Sequence, residues 1–169
     1  MEFENRQLAK DDEEFLINSR QNHHDALLSM LQQAHLSLDI YSYNLDGSLY
    51  DTDEYLTAIK QLSLNSKNSK IRILLKDTDY VNKHGHRFVT FARRLPSFME
   101  IRQVNSDFEH IISCYSIVDE RGIIFRSDAL RYEAKINFNG PLLARELLKQ
   151  FNQIWNHSEP SQEMRSLHI

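Results

Sequence analysis

Hydrophobic residues alternate with polar ones in some segments of the chain, as in β-strands, and recur every three to four residues in others, as in helices. Apolar segments rich in β-branched and aromatic residues predict seven strands, and amphipathic segments that begin at a capping residue or a proline predict four helices. The predicted strands cover 14–18, 36–43, 71–77, 98–104, the two arms of a hairpin within 113–126, and 133–139. The predicted helices run from a cap at Ser19 to about Ala34, and over 53–64, 87–95 and 140–155.

The order of these elements indicates the fold class. Strands and helices alternate at first and strands follow one another later, which predicts an α/β sandwich with a mixed β-sheet flanked by helices. We expect a single domain over 13–157. Residues 1–12 and 158–169 carry many polar side chains and little apolar pattern, so they are predicted to be a loose N-terminal segment and a loose C-terminal tail.

Composition narrows the class of protein. Of the 169 residues, 41% are hydrophobic and 26% charged, which is typical of a soluble globular domain. The N-terminus is acidic and no apolar run approaches the ~20 residues of a membrane span, so we expect a cytoplasmic protein. The net charge of -4 does not indicate a nucleic-acid-binding protein, although a local basic patch is compatible with this net charge. The single cysteine, Cys114, excludes an intrachain disulfide and a cysteine-based zinc site, and no cofactor is expected.

The predicted hairpin carries the most informative motif. It reads YSIVDERGIIFRS, and Asp-Glu-Arg-Gly supplies its turn. With IRILLKD before it and EAKINFNGPLLARELLKQFNQIW after it, this stretch resembles the phospholipase D superfamily over roughly 20–157. The pattern of that superfamily is H-x-K-x4-D, a second strand, Gly-Ser-x-Asn, and a helix that ends near Phe-x-x-x-Trp. The resemblance implies a phospholipase D-like α/β sandwich.

The catalytic pair of that pattern is replaced. When the motif is aligned on Asp119, Ile112 stands at the histidine position and Cys114 at the lysine position. An isoleucine cannot attack phosphorus, and a cysteine in an apolar strand cannot replace a cation that holds phosphate oxygens. Further along, the Gly-Ser-x-Asn positions hold Arg126, Ser127 and Ala129. The resemblance therefore implies a domain without the superfamily's catalysis.

A second resemblance concerns possible partners. The stretch LLKDTDYVNKHGHRFVTFARRLPS is similar to a bacterial family of degenerate phospholipase D-like domains, some joined to acetyltransferases of the GNAT type. This likeness implies that a separately encoded acetyltransferase is one candidate partner. Because two phospholipase D-like units usually face each other, it also implies a homodimer with a two-fold interface.

A cluster of cations suggests a ligand site. In KHGHRFVTFARR, His86 and Arg87 lie where a loop after a predicted strand enters a helix, so we predict that they bind a small anion such as phosphate or carboxylate. The alternative is a solvated helix face. Asp77, Asp79 and His84 could join His86 in a metal site, but their spacing matches no strong motif, and no metal is expected.

Three further residues are candidates for the same ligand site. Arg72 interrupts an apolar strand and needs a carboxylate such as Asp39 or Asp119, either as a structural pair or as a ligand contact. Asp119 and Arg126 lie near other predicted strand ends, where sites tend to form. By contrast, His23-His24-Asp25 is expected on the surface of the first helix.

Three functions remain open at this point. The leading hypothesis is a non-catalytic domain that acts as a ligand-binding or protein-interaction module. The second is a phosphodiesterase or nuclease with altered catalytic residues, in which His84 or His86 replaces the missing histidine. The third is a regulatory partner of a GNAT acetyltransferase.

Overall fold

The computed structural model describes residues 2–160, which contain one seven-stranded mixed sheet and six α-helices. The predicted fold class is confirmed. The strands are β1 Glu14–Ile17, β2 Ser37–Ser42, β3 Lys70–Leu75, β4 Met99–Gln103, β5 Cys114–Val118, β6 Gly122–Arg126 and β7 Ala134–Asn137. The helices are α1 Arg20–Gln33, α2 Gly47–Tyr50, α3 Asp53–Asn65, α4 Asp79–His84, α5 Arg87–Arg94 and α6 Pro141–Asn156.

The strand order across the sheet is β1-β7-β6-β5-β2-β3-β4. Strands β2, β3 and β4 are parallel, and every other neighbouring pair is antiparallel. We call the edge at which β2, β3 and β4 end the carboxyl edge. Because β5 runs against β2, β5 begins at the carboxyl edge, and the β5–β6 turn lies at the opposite, amino edge.

Both faces of the sheet are covered. Helices α1 and α3 pack against one face, where side chains such as Ile40, Val118 and Ile124 are fully buried. Helix α6 crosses the other face and packs through Phe151 and Ile154. Burial on both sides explains why the central strands are nearly continuous in apolar residues.

The helix starts follow the capping rules that the sequence suggested. The Ser19 hydroxyl accepts a hydrogen bond from the backbone N–H of Asn22, and the Thr52 hydroxyl accepts one from Tyr55. Pro141 occupies the first turn of α6. Helices α2 and α4 fall within segments predicted as loops, because one or two turns are too short to display an apolar period.

Residues of both terminal segments contact the sheet, while the predicted loose tail over 158–169 stays a prediction for the most part. Phe3 is 2% exposed and stacks on Phe138, and the backbone N–H of Ala9 donates to the carbonyl of Phe138. The N-terminal segment passes so close to the sheet that a Cβ added at Gly122 would lie 2.6 Å from Leu8 Cδ1. At the other end Glu159 pairs with β4, while 161–169 lie outside the described residues.

No helix within the described residues combines the length and the apolar character that crossing a membrane requires.

Candidate functional site

The structure places Ile112 and Cys114, which the sequence alignment set at the histidine and lysine positions, at the carboxyl edge. Ile112 precedes β5 and is 63% exposed. Cys114 begins β5 and is buried, and this burial raises the pKa of its thiol. Cys114 lies directly opposite Arg126 in the antiparallel register of β5 and β6. Cys114 is therefore a neutral thiol with a cation beside it.

Arg126 is the charged residue at the centre of this region. It is only 8% exposed. Its Nε donates to the carbonyl oxygen of Arg131 at 2.5 Å, and its Nη2 donates to that of Ala129 at 2.8 Å. Its guanidinium carbon lies 4.8 Å from the ring centre of Tyr132. The chain itself thus holds this cation in place through carbonyl oxygens and an aromatic ring.

Helix α1 contributes a histidine to the same region. His23 is 2% exposed, which corrects the expectation that the His23-His24-Asp25 stretch lies at the surface. Burial, together with the charge of Arg126, lowers the pKa of His23 to about 3, so its ring is neutral at physiological pH. Among the described residues its Nδ1 has no hydrogen-bond partner. The ring meets Tyr50 edge-on, with ring centres 6.4 Å apart.

The loop after β2 closes the region with a carboxylate. Asp46 accepts a hydrogen bond from the Tyr132 hydroxyl at 2.8 Å and another from the Ser48 hydroxyl at 2.6 Å. Partial burial alone would raise the pKa of Asp46, but the hydrogen bonds from Ser48 and Tyr132 lower it on balance. Asp46 therefore holds Tyr132, and Tyr132 in turn covers Arg126.

The chemistry of this arrangement is limited. Nucleophilic catalysis needs a reactive group within reach of a base and of substrate. Ile112 is exposed but unreactive, whereas His23 and Cys114 are enclosed by protein. The region provides a fixed, buried positive charge and an apolar rim.

The structure uses the predicted anion residues for internal contacts. His86 is buried and caps α5, since its Nδ1 accepts from the backbone N–H of Phe88 at 3.1 Å. Burial lowers the pKa of His86, although Asp51 opposes the shift. Arg87 is exposed, and it donates from Nε to Asp51 at 2.5 Å and from Nη1 to Asp53 at 2.6 Å. These carboxylates occupy the donors that an anion would need.

Arg72 has the structural pairing that the sequence allowed. Its Nε donates to Asp39 at 2.7 Å, and its Nη1 donates to Asn152 of α6 at 2.8 Å. Its guanidinium also lies over the rings of Phe151 and Trp155. Arg72 and Asp39 are cross-strand neighbours on β3 and β2, on the α6 face of the sheet.

Asp119 lies at the far end of β5 from Cys114. Its carboxylate accepts hydrogen bonds from the backbone N–H groups of His35, Leu36 and Ser37, at 2.8 to 2.9 Å. Five residues of extended chain separate Cys114 from Asp119, a distance of about 17 Å. Asp119 therefore fixes the entry of β2 at the amino edge.

The five predicted site residues do not meet in one pocket. His86 and Arg126 both lie near the loop that contains Asp46. His86 interacts electrostatically with Asp46, and Arg126 lies over the ring of Tyr132, whose hydroxyl donates to Asp46. Arg72 lies on the other face of the sheet and Asp119 at the other edge, and Arg87 faces the two carboxylates at the start of α3. Within the described residues, no group of three or more His, Cys, Asp or Glu side chains could hold a metal ion.

Sequence reasoning placed His23 at the surface and did not count Asp46 among the site residues. The signal for His23 was available in principle, because it lies three and four residues before Ala26 and Leu27 on the buried stripe of α1. Asp46 gave a weaker signal, since an aspartate before Gly47 and Ser48 is equally typical of an ordinary turn.

Solved structures share this fold at low sequence identity. TrmBL2, described as an archaeal chromatin protein with a novel mode of DNA binding, has a TM-score of 0.64 and 15% identity over 88% of this chain and 53% of its own. Nuc, a phospholipase D family member from Salmonella typhimurium, has a TM-score of 0.58 and 16% identity over 89% of this chain and 99% of its own. NucT from Helicobacter pylori has a TM-score of 0.61 and 11% identity over 88% of this chain and 99% of its own. The chain thus spans about half of TrmBL2 and nearly all of the other two.

Curated protein sequences give no match to the chain. A family profile described as "Domain of unknown function (DUF7931)" matches residues 19–167. Since that match covers most of the 169 residues, the chain belongs to this family, and its fold is similar to that of phospholipase D family structures.

Proposed function

We propose that this domain is non-catalytic and works as a protein-interaction module that pairs with a second copy of itself across the carboxyl edge. One observation carries the proposal: the position of the nucleophilic histidine holds Ile112, whose side chain is 63% exposed. An exposed aliphatic side chain contributes nothing to phosphoryl transfer and favours burial against another apolar surface.

The surroundings of Ile112 support the loss of catalysis. Phosphoryl transfer depends on cations that are aimed at the transferring group. Arg126 could supply such a charge, but it is buried and donates to two carbonyl oxygens of its own chain. Of the two histidines of the enzymatic alternative, His86 caps a helix and the exposed His84 stacks on Tyr80.

The surroundings of Ile112 also support an interface. The backbone carbonyl of Ile112 accepts from the N–H of Ala129, which places the 85% exposed Leu130 nearby. At the same edge, the 81% exposed Leu16 lines a groove of about 620 Å³ together with Phe125. Exposed apolar side chains gathered at one edge are typical of an interaction surface.

A second copy of the chain is the partner that this surface favours. In a two-fold dimer the same patch of each subunit forms the interface, so the apolar patch of one copy packs against the apolar patch of the other. The paired units of the phospholipase D superfamily provide the precedent for this geometry. A GNAT acetyltransferase partner rests on family resemblance alone, and the cation at this edge is too enclosed to favour DNA.

The proposal is tested by sedimentation velocity at micromolar concentrations. We expect about twice the monomer mass of 20.0 kDa. Ile112→Asp and Leu130→Asp should each shift the equilibrium to monomer, because a dimer would bury an unpaired carboxylate. Leu64→Asp is the matched control, since Leu64 is 78% exposed at the distant end of α3. A monomer at every concentration, or equal effects of all three variants, would refute self-association through this edge.

A further inference from the structure

A groove at the amino edge lies between the β5–β6 turn and α6. It has a volume of about 550 Å³, and Arg121, Arg145 and Lys149 line it. The backbone N–H of Gly140, which precedes α6, donates to the carbonyl of Arg121 at 2.9 Å. This bond fixes the turn against the helix start, so the groove is part of the folded domain. We call it the α6 groove.

The three cations of the α6 groove come from two elements. Arg145 and Lys149 are four residues apart on α6 and therefore lie on the same side of the helix. Arg121 faces them from the turn. All three residues are exposed, and none of them forms an ion pair within residues 2–160.

Five other arginines, by contrast, have carboxylate partners. Ion pairs to Asp or Glu are made by Arg6, Arg72, Arg87, Arg102 and Arg131. Glu120 is the one carboxylate among the described residues that line the α6 groove, so three positive charges face one negative charge there. A chain with a net charge of -4 thus keeps a locally positive groove.

We propose that the α6 groove binds a small anion that carries two or more linked phosphate groups and has the size of a nucleotide. Guanidinium groups bind phosphate oxygens in pairs, and lysine adds a point charge. Cations on two separate elements can contact two neighbouring phosphate groups, so they favour a ligand with linked phosphates over a single phosphate. Leu148 and Pro141 also line the groove and provide apolar contact for the rest of the ligand. The volume lies within the usual range of small-molecule sites, roughly 300–1,000 Å³.

This site is independent of the carboxyl edge. The β5–β6 turn is at the opposite end of the hairpin from Cys114 and Arg126. Helix α6 also covers the opposite face of the sheet from His23. Loss of self-association and loss of phosphate binding can therefore be measured separately.

The test is an NMR and calorimetric titration of the full chain with ATP, inorganic tripolyphosphate and adenosine. We expect ATP and tripolyphosphate to shift the amide signals of residues 120–122 and 141–152, and adenosine alone to leave them unchanged. Tighter binding of ATP than of tripolyphosphate would identify a nucleotide rather than an inorganic chain. Added salt should weaken both, because the cations are exposed.

Variants locate the site. The double variant Arg145→Glu with Lys149→Glu should weaken ATP binding at least about tenfold, since it replaces two charge-assisted contacts by repulsion. Lys67→Glu is the control for reversing a charge outside the groove, because Lys67 is exposed and does not line it. Ile112→Asp should retain full affinity even as a monomer.

Three outcomes would overturn the inference: no saturable binding of either phosphate compound, shifts that localise elsewhere, or equal losses in the double variant and in Lys67→Glu. Binding of a single-stranded oligonucleotide without any response to ATP would also overturn it, in favour of a nucleic-acid surface. Circular dichroism of each variant verifies that the fold is retained.

Discussion

At the scale of single residues, buried charge explains the position of Arg72. Asp39 is 3% exposed on the face of the sheet that α6 covers. Burial raises the pKa of Asp39, although the hydrogen bond and the charge of Arg72 oppose this shift. An ionised carboxylate at this depth requires a partner, and Arg72 provides it while its guanidinium stacks on aromatic rings. The pair is a structural device within the α6 interface.

The pair predicts a pH-dependent loss of stability in Arg72→Met. Methionine retains the apolar contacts but leaves the Asp39 carboxylate buried and unpaired, so the free energy of unfolding should fall by about 2–4 kcal/mol at neutral pH. Without Arg72 the pKa of Asp39 rises further. The folded state then keeps the proton of Asp39 up to a higher pH than the unfolded chain does, since the ordinary pKa of an aspartate is 3.8. The free energy of unfolding therefore decreases as pH rises from that value through the pKa of Asp39 in the folded state. The loss should therefore shrink as pH falls to about 4.

Urea unfolding of wild type and Arg72→Met across that pH range provides the measurement. The control adds Asp39→Asn to Arg72→Met, which removes the ionisable group and should make the loss nearly independent of pH. A loss in the single variant that stays constant with pH would show that packing, not the charge pair, determines the role of Arg72.

At the scale of elements, Asp119 connects the hairpin to the start of β2. Its carboxylate accepts from three consecutive backbone N–H groups, those of His35, Leu36 and Ser37. The residue has a positive φ of 52°, which aspartate and asparagine tolerate better than most side chains. An aspartate that appears catalytic in a linear motif therefore serves here as a cap for a strand.

This cap predicts a graded effect of substitution at position 119. Asp119→Ala removes all three acceptor contacts and should lower the free energy of unfolding by about 2–3 kcal/mol. Asp119→Asn keeps one side-chain oxygen, so it should retain the contacts to Leu36 and Ser37. Its free energy of unfolding should therefore fall by less than that of Asp119→Ala. Thermal unfolding of both variants measures the difference.

Glu120→Ala provides the control for backbone strain, because Glu120 is adjacent, exposed and has a similar positive φ of 58°. If Glu120→Ala destabilises the protein as much as Asp119→Ala does, the conformation of the turn matters and the cap does not.

The elements differ in how far their sequences predict them. The strands and long helices follow from apolar periodicity because burial on both faces of the sheet imposes that period. The site was predictable only in part. Arg72 was recognisable, since a cation in an apolar strand needs a carboxylate. The role of Arg87 was not, because its pairing with Asp51 is a contact between segments distant in sequence. The role of His86 was not either, because histidine is not among the residues that usually cap a helix, although its contact with Phe88 is local.

At the scale of the whole molecule, the two edges of the sheet have different properties. The carboxyl edge holds an enclosed cation, Arg126, and exposed aliphatic residues such as Ile112 and Leu130. The amino edge holds the Asp119 cap and the α6 groove. One fold can host different functions, so the function of each edge must be argued from its own side chains.

This separation predicts that the protein does not hydrolyse phosphodiesters. Purified protein incubated with bis-p-nitrophenyl phosphate or single-stranded DNA should give no turnover above the uncatalysed rate, since Ile112 is no nucleophile and Arg126 is occupied by the carbonyl oxygens of Arg131 and Ala129. Turnover that elutes separately from the protein in gel filtration would come from a contaminant, whereas turnover that co-elutes with the folded protein would refute the prediction. Turnover that a folded Arg126→Lys, His23→Gln double variant abolishes and Leu64→Asp preserves would show that His23 or Arg126 acts in catalysis. Turnover that His84→Ala or His86→Ala abolishes would instead show that one of these histidines replaces the missing one, and in either case the domain would be an enzyme with altered residues.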